Sequence, residues 1–295
     1  MASWRLRCTY LAWGPPEEPR AVVCVLALGF GRFRVGLVRE GPVWLRALDE
    51  ATTTECLRSL VEELRRRGFV LAGFANNDAE ALSGIEVLAP SNRERLFPFP
   101  IAEPESLVVP QAATDEETAS AFAPVARRDI RHAERAGFVI ESADTADALR
   151  AAWPVWMTVH RFRSLYGRSR GSWLRLLEAS RPLGVVRIYT ASLDGKAVQS
   201  ILVVRAGSRA TYVIGALDRA ALGERPSPSC LLHFRAMRDS YARGCTLYDL
   251  GSRSGPVHRF KSKFRPREVT HPAPVNLILE PALYPLCSWL LPRLR

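Results

Sequence analysis

The order of short apolar segments in the second half of the chain is the feature that most restricts its fold. Two apolar runs flank the dipeptide Asp194-Gly195, which is typical of a two-residue hairpin turn. A helical pattern precedes this hairpin, and a third strand, a second helix and a last strand follow it. The predicted elements are, in order, Thr145–Arg163, Val185–Ser192, Ala197–Arg205, Ala210–Ala216, Pro228–Gly244 and Thr246–Gly251. This order indicates a mixed, mostly antiparallel sheet flanked by helices.

A looser version of the same order runs through the first half of the chain. Strand Ala21–Ala27 comes first, and a helix capped within Thr52–Thr54 ends at Gly68. Phe69–Phe74 then forms a buried strand. No sequence repeat relates the halves, so only the order of elements supports two related α/β units in tandem.

We place these units at residues 1–143 and 144–268, with a C-terminal segment at 269–295. Within the first unit, Thr114 begins a helix by the capping-box pattern. That helix either continues or is replaced by a second one after Pro124, and both possibilities are open from the sequence.

The positive charge of the chain is concentrated in two stretches. The chain has 41 basic and 30 acidic residues, a net charge of +11. Residues 161–175 contain five arginines and no carboxylate, and residues 253–267 contain six basic residues. Such clusters indicate a polyanionic partner, namely nucleic acid, nucleotide phosphates or anionic lipid. A solvated basic face is the simpler alternative.

Several classes of protein are excluded by what the sequence lacks. No run reaches the roughly 18 apolar residues of a spanning helix, and Met1–Pro16 lacks the apolar region of a secretory signal. We therefore expect a cytoplasmic protein. The six cysteines are widely spaced, which predicts neither a zinc site nor a disulfide framework. Arg181–Val186 is the nearest fragment to the pyrophosphate turn of acyl-CoA transferases, and it lacks the second small residue.

The most informative run lies in the second basic stretch. Tyr248–Gly251 is a predicted strand end followed by a glycine turn, and Arg259–Phe264 contains a Phe-Lys pair. This run resembles the Fem-type peptidyltransferases, relatives of the enzymes that build interpeptide bridges on peptidoglycan precursors from aminoacyl-tRNA. In that family a Tyr/Phe-Asp-x-Gly turn is followed by an R-F-K-x-x-F segment.

Three further stretches resemble the same family in the same order. Arg39–Val43 is similar to its Arg-Gly-Pro-Val turn, with Glu40 as an insertion. Arg128–Gly137 is similar to a family helix, although the spacing before Ile130 is one residue shorter. Val275–Tyr284 is similar to the closing segment. The resemblance therefore covers nearly the whole chain, which lacks the long helical hairpin that some members carry for tRNA.

The resemblance implies two tandem GNAT-like domains, with the C-terminal segment packed back on the first. It implies an aminoacyltransferase that forms an amide by moving an amino acid from aminoacyl-tRNA to an amine. The acceptor would be a nucleotide- or lipid-linked peptidoglycan precursor or a small peptide. This chemistry requires no metal or redox cofactor, and aminoacyl-tRNA serves as co-substrate. The oligomeric state is not predicted.

Three residues are candidates for the chemistry by this resemblance. Lys261 would stabilise negative charge on the tetrahedral intermediate or the leaving ribose. Phe260 would offer a face for the terminal base, with core packing as the alternative. Asp78 follows a first-domain strand and is the candidate base, with a helix N-cap as the alternative.

The remaining candidates would bind substrate. Arg127 and Arg131 lie four residues apart on one helix and repel each other unless an anion or a carboxylate such as Glu134 is near. By the resemblance, four arginines would hold precursor phosphates, namely Arg39, Arg127, Arg128 and Arg131. Tyr212 would contact substrate. Arg259 and Lys263, in the second basic stretch, would contact the tRNA backbone.

Other functions are left open. An acyl-CoA-dependent N-acyltransferase on the same fold is one alternative, and a non-catalytic RNA-binding module is another. The apolar C-terminal stretch Leu283–Leu294 indicates either peripheral contact with a membrane or a segment docked on the core.

Overall fold

The computed structural model describes residues 5–15, 17–30, 33–39, 41–45, 48–75, 84–93, 105–159, 170–253 and 257–293. The chain divides into two compact units. The first comprises Met1–Pro104 and Thr270–Arg295, and the second comprises Glu105–Val269.

The first unit is a mixed sheet with one long helix and a short C-terminal helix. Its elements are β1 Arg5–Trp13, β2 Ala21–Phe30, β3 Phe33–Arg39, β4 Val43–Trp44, α1 Glu50–Arg66, β5 Phe69–Ala75, β6 Ser91–Asn92, β14 Val275–Ile278 and α9 Tyr284–Leu290. The strands lie in the order β1-β2-β3-β5-β14-β6, with β4 paired to β2. The strands β3 and β5 are parallel, and the pairs β1/β2, β2/β3, β5/β14 and β6/β14 are antiparallel.

Helix α1 forms because a buried apolar stripe recurs along it and its first turn is capped. Cys56, Leu57, Leu60, Val61 and Leu64 are its buried residues. The cap is the carboxylate of Asp49, which accepts a hydrogen bond from the Thr52 backbone N–H at 2.7 Å. The predicted cap at Thr52–Thr54 is therefore wrong, because these threonines already lie in the first turn of the helix.

The second unit is also a mixed sheet, covered by more helices. Its elements are β7 Glu105–Pro110, α2 Asp115–Ser120, α3 Pro124–Arg135, β8 Val139–Ala143, α4 Ala146–Trp156, α5 Arg170–Ser180, β9 Val186–Leu193, β10 Lys196–Ala206, β11 Arg209–Leu217, α6 Arg219–Leu222, α7 Ser229–Ala242, β12 Leu247–Asp249, α8 His258–Lys261 and β13 Arg267–Thr270. The strands lie in the order β13-β7-β12-β11-β10-β9-β8, with β11 and β12 parallel. The pairs β7/β12, β8/β9, β9/β10 and β10/β11 are antiparallel.

The two sheets share one strand arrangement, and the predicted fold class is confirmed. From β1 to β14, and from β9 to β7, neighbouring strands pair antiparallel, antiparallel, parallel and antiparallel. Each unit is therefore a mixed, mostly antiparallel sheet flanked by helices.

The boundary between the units lies earlier than the sequence analysis placed it. We expected the first domain to end at residue 143, but the compact units divide between Pro104 and Glu105. The reason is strand pairing, since β7 pairs with β12 and β8 pairs with β9. Segment 105–143 thus completes the second sheet.

Local turn chemistry agrees with the predicted hairpin and capping box. Asp194 and Gly195 have φ angles of 50° and 75°, as a primed hairpin turn requires. Thr114 and Glu117 form a complete capping box at the start of α2. The helix ends at Ser120, and α3 is a separate helix with Pro124 in its first turn.

Strand β1 and helix α5 were not predicted from the sequence. Strand β1 pairs with β2 over nine residues, from Arg5↔Gly29 to Trp13↔Ala21.

Within the described residues, no helix is both long enough and apolar enough to cross a lipid bilayer.

Candidate functional site

The parallel strands of the second sheet separate after a short contact. Strands β11 and β12 pair at only three positions, from Arg209↔Leu247 to Thr211↔Asp249. In the first unit, the parallel strands β3 and β5 pair at six positions. After Asp249 the chain stays hydrogen-bonded to strand β7, since the Leu250 N–H donates to Leu107 O at 2.8 Å. A gap therefore opens between β11 and the chain that follows β12.

The floor of this gap is a tight glycine turn that Asp249 holds. This carboxylate is 3% exposed. Its Oδ1 accepts from the Gly251 backbone N–H at 2.6 Å, and its Oδ2 lies 3.6 Å from the Arg209 guanidinium. Gly251 has a φ of 75°, a conformation that favours glycine. The carboxylate of the Tyr-Asp-x-Gly motif thus fixes the turn.

Lys261 places its ammonium group against that turn. Lys261 is the last residue of helix α8 and is 6% exposed. Its Nζ donates to Ser252 O at 2.7 Å. A Cβ at Gly251 would lie 3.9 Å from this Nζ and 4.0 Å from Tyr212 O, so the amine lies where β11 and β12 separate. Burial makes this position costly for a cation unless polar partners hold it.

A buried histidine packs against the same place. His233 in helix α7 is 2% exposed, and its Nδ1 lies 3.1 Å from the Tyr248 hydroxyl. Its ring lies 4.8 Å from that of Tyr212 and 5.4 Å from that of Phe260. Burial, followed by the charge of Lys261, lowers the pKa of His233 to about 3. The imidazole is therefore neutral at physiological pH.

Sequence reasoning missed His233. The available signal was a histidine within the apolar face of the predicted helix, between Leu232 and Phe234. Its partner Tyr248 lies fifteen residues later, on a strand. Burial raises the pKa of Tyr248 well above its ordinary value, which keeps its hydroxyl protonated.

A second feature is a pocket of about 170 Å³ at the start of helix α7. Lys263 Nζ lies 2.9 Å from Asp129 Oδ2 at this pocket. The helix N-terminus and the lysine favour an anion, and the carboxylate offsets part of that charge. The lining residues are Asp129, His132, Pro226, Ser227, Ser229, Cys230, Phe260 and Lys263.

Phe260 connects the pocket with the lysine. Its ring is half-buried against His233 and Phe264, whose ring centroids lie 5.4 Å away in each case. It also lines the pocket beside Lys263. Both interpretations of this side chain, core packing and a face for a ligand, are compatible with its position.

Three of the four arginines of helix α3 are predicted substrate ligands, and none of the three lines this pocket. Arg127 donates to Ser120 O at 3.2 Å, and Arg128 lies 3.4 Å from Asp129 Oδ1. Arg131 is exposed. The helix instead contributes Asp129 and His132 to the pocket lining.

The other predicted residues lie elsewhere or outside the described part of the chain. Arg259 is exposed on α8, one residue before Phe260. Arg39 ends β3 opposite Ala75, and its side chain lies outside the described atoms. Asp78 lies outside the described residues. Lys261, Phe260 and Tyr212 are thus the predicted residues that come together around the gap.

Comparison with known proteins decides the fold. Residues 120–262 match the family model described as an acetyltransferase (GNAT) domain. The structure is similar to that of FemX, with a TM-score of 0.73 and 14% identity over 96% of this chain and 90% of that chain. The chain has a Fem-type tandem GNAT fold. The resemblance seen in the motifs is confirmed at this level.

Two other solved structures are similar to this chain with lower TM-scores. The C-terminal domain of a putative lysylphosphatidylglycerol synthetase from Agrobacterium fabrum has a TM-score of 0.56 and 17% identity, over 91% of this chain and 85% of that chain. L-PGS from Bacillus licheniformis has a TM-score of 0.55 and 13% identity, over 92% and 85%. No curated protein sequence matches the chain. At these identities the structures show a shared fold.

Metal ligands do not cluster in the part of the chain that the structure describes. No three His, Cys, Asp or Glu side chains there lie close enough together to hold an ion.

Proposed function

We propose that the chain is an aminoacyltransferase that moves an amino acid from aminoacyl-tRNA to an amine and so forms an amide. The acceptor would be an amine of a peptidoglycan precursor or of a small peptide. The observation that carries this proposal is the buried ammonium of Lys261, which Ser252 O holds at the gap between β11 and β12.

In this reaction the amine attacks the ester directly, so the protein's main contribution is a fixed positive charge near the developing oxyanion. The acceptor amine attacks the ester carbonyl, so a C–N bond forms and the C–O bond to the ribose breaks. The proton lost by the amine is balanced by the one gained by the leaving ribose oxygen. The Lys261 ammonium would stabilise the oxyanion that develops between these steps, or the leaving oxygen. Removing one such group typically costs a factor of about 10²–10³ in rate.

The neighbours of Lys261 fit the donor end of such a substrate. Phe260 would stack on the terminal base, and Lys263 and Arg259 would contact the acceptor backbone. Tyr212 would contact substrate across the gap. Arg39, Arg127, Arg128 and Arg131 remain proposed ligands for precursor phosphates, and Asp78 remains the proposed base.

An acyl-CoA-dependent N-acyltransferase is the second candidate. The match of residues 120–262 to an acetyltransferase (GNAT) domain favours it. Against it stands Arg181–Val186, which lacks the second small residue of a pyrophosphate turn and lies in a 3₁₀ turn that runs into β9.

The choice of donor is tested by supplying both. The purified chain is incubated with tRNA charged with radiolabelled amino acids and, separately, with labelled acetyl-CoA, each with a panel of peptide and precursor amines. We expect label to enter the amine from aminoacyl-tRNA only, and treatment of the tRNA with mild base beforehand to abolish transfer. Transfer from acetyl-CoA alone would replace this proposal with the second candidate.

A further inference from the structure

The C-terminal helix of the first unit has two faces of different character. Helix α9 buries Cys287, and Leu291 immediately after it is also buried, against the sheet core. On another stripe, Leu286 is 47% exposed and Trp289 is 56% exposed. Cys287 and Leu291 are four positions apart, so they lie on one face of the helix, and that face packs on the sheet. The stripe of Leu286 and Trp289 lies outside this contact.

An apolar pocket of about 180 Å³ continues the exposed stripe. Every side chain that lines it is apolar, and the helix and strand β3 form its walls. The lining residues are Phe33, Val35, Leu283, Leu286, Cys287, Leu290 and Leu291. The patch is therefore larger than two scattered surface residues, which would need no explanation.

A cation is held at the edge of this patch. The Arg293 guanidinium carbon lies 4.4 Å from the centre of the Trp289 ring, and its Nη1 donates to Trp289 O. Residues 281–295 include Arg293 and Arg295 and contain no Asp or Glu. Tryptophan beside arginine on an apolar stripe is typical of a segment that lies in the interface of an anionic bilayer.

We propose that helix α9 docks the chain on the surface of an anionic membrane, with Leu286 and Trp289 inserted among the lipids and Arg293 at the headgroups. The apolar pocket beside them can accept part of an acyl chain. A two-fold contact centred on Trp289 and Arg293 would bring two like charges together, and residues 281–295 contain no carboxylate side chain to offset them, so a second copy fits this face less well. The inference does not depend on which acyl group the enzyme transfers.

Binding is measured by co-sedimentation of the full chain with vesicles of phosphatidylcholine, with and without phosphatidylglycerol, at physiological salt. The double variant Leu286→Glu/Trp289→Glu should bind anionic vesicles roughly tenfold or more weakly than the natural chain, because it loses the burial of two large apolar groups. Arg293→Gln should lose about fivefold. The matched control is Val87→Glu, which changes an 83% exposed apolar residue of the same unit and should bind as the natural chain does.

A second measurement separates insertion from attraction by the basic stretches. Vesicles with brominated acyl chains should quench part of the tryptophan fluorescence, and Trp289→Phe should remove that part while keeping vesicle binding. Equal binding by the double variant and the natural chain would overturn the proposal, as would quenching that persists in Trp289→Phe. A dimer in sedimentation velocity that the double variant dissociates, without any vesicle binding, would assign the face to a contact between copies instead.

Discussion

At the scale of single residues, the candidate site is a cation and a neutral imidazole buried side by side. Lys261 is held by Ser252 O, and His233 is held by the Tyr248 hydroxyl and by the rings around it. Burial, and then the charge of Lys261, lowers the pKa of His233. The sequence could indicate Lys261, because it lies in a recognisable motif. For His233 the sequence offered only a histidine within an apolar helix face, because its contact with Tyr248 depends on how helix α7 packs on strand β12.

The neutral His233 gives a pH dependence of stability. Its pKa is about 3 in the folded chain and near 6.5 when unfolded, so between these values the unfolded chain binds the extra proton. The free energy of unfolding should therefore fall as pH decreases from 6.5 towards 4, by up to about 1.4 kcal/mol per pH unit from this residue.

Urea denaturation at pH 7 and pH 5 measures this effect, with His233→Gln as the reference. The difference between the two pH values should be smaller in the variant. The same difference in both proteins would mean that His233 is protonated in the fold.

At the scale of elements, features with a local cause were predictable and those with a distant cause were not. The Asp194-Gly195 hairpin and the Thr114 capping box depend on neighbouring residues alone. The direction in which the arginine face of α3 points could not be predicted, because it follows the buried stripe of the helix. That stripe is Ala126, Ile130 and Ala133. Burial of these three positions places Asp129, rather than the arginines, beside Lys263.

The capping box of α2 gives a test of local stability. Thr114 Oγ1 accepts from the Glu117 backbone N–H at 3.1 Å, and Glu117 Oε2 accepts from the Thr114 N–H at 3.1 Å. Thr114→Ala should lower the free energy of unfolding by about 1 kcal/mol, because it removes the cap. Chemical denaturation checks this value. Thr114→Ser should keep most of the stability, and equal losses in both variants would show that the hydroxyl is not the cause.

At the scale of the whole chain, the two units share one strand order but differ at the parallel pair. The sequence predicted the repeated order, since each element has its own local pattern. It misplaced the boundary because pairing of β7 with β12 joins residues that are far apart in the chain. Only in the second unit does the parallel pair separate after three positions, and there the candidate residues meet. That difference is why our proposal places Lys261, its central residue, in the second unit.

The most direct test of the account is a single-turnover measurement of aminoacyl transfer with Lys261→Ala. The chain has three lysines, so Lys196→Ala, which changes the exposed lysine of the β9–β10 hairpin, is the matched control. We predict that Lys261→Ala slows transfer about 10²–10³-fold while its thermal unfolding still shows a folded chain, and that the control transfers at the natural rate. Transfer by a folded Lys261→Ala variant at the natural rate would contradict the account.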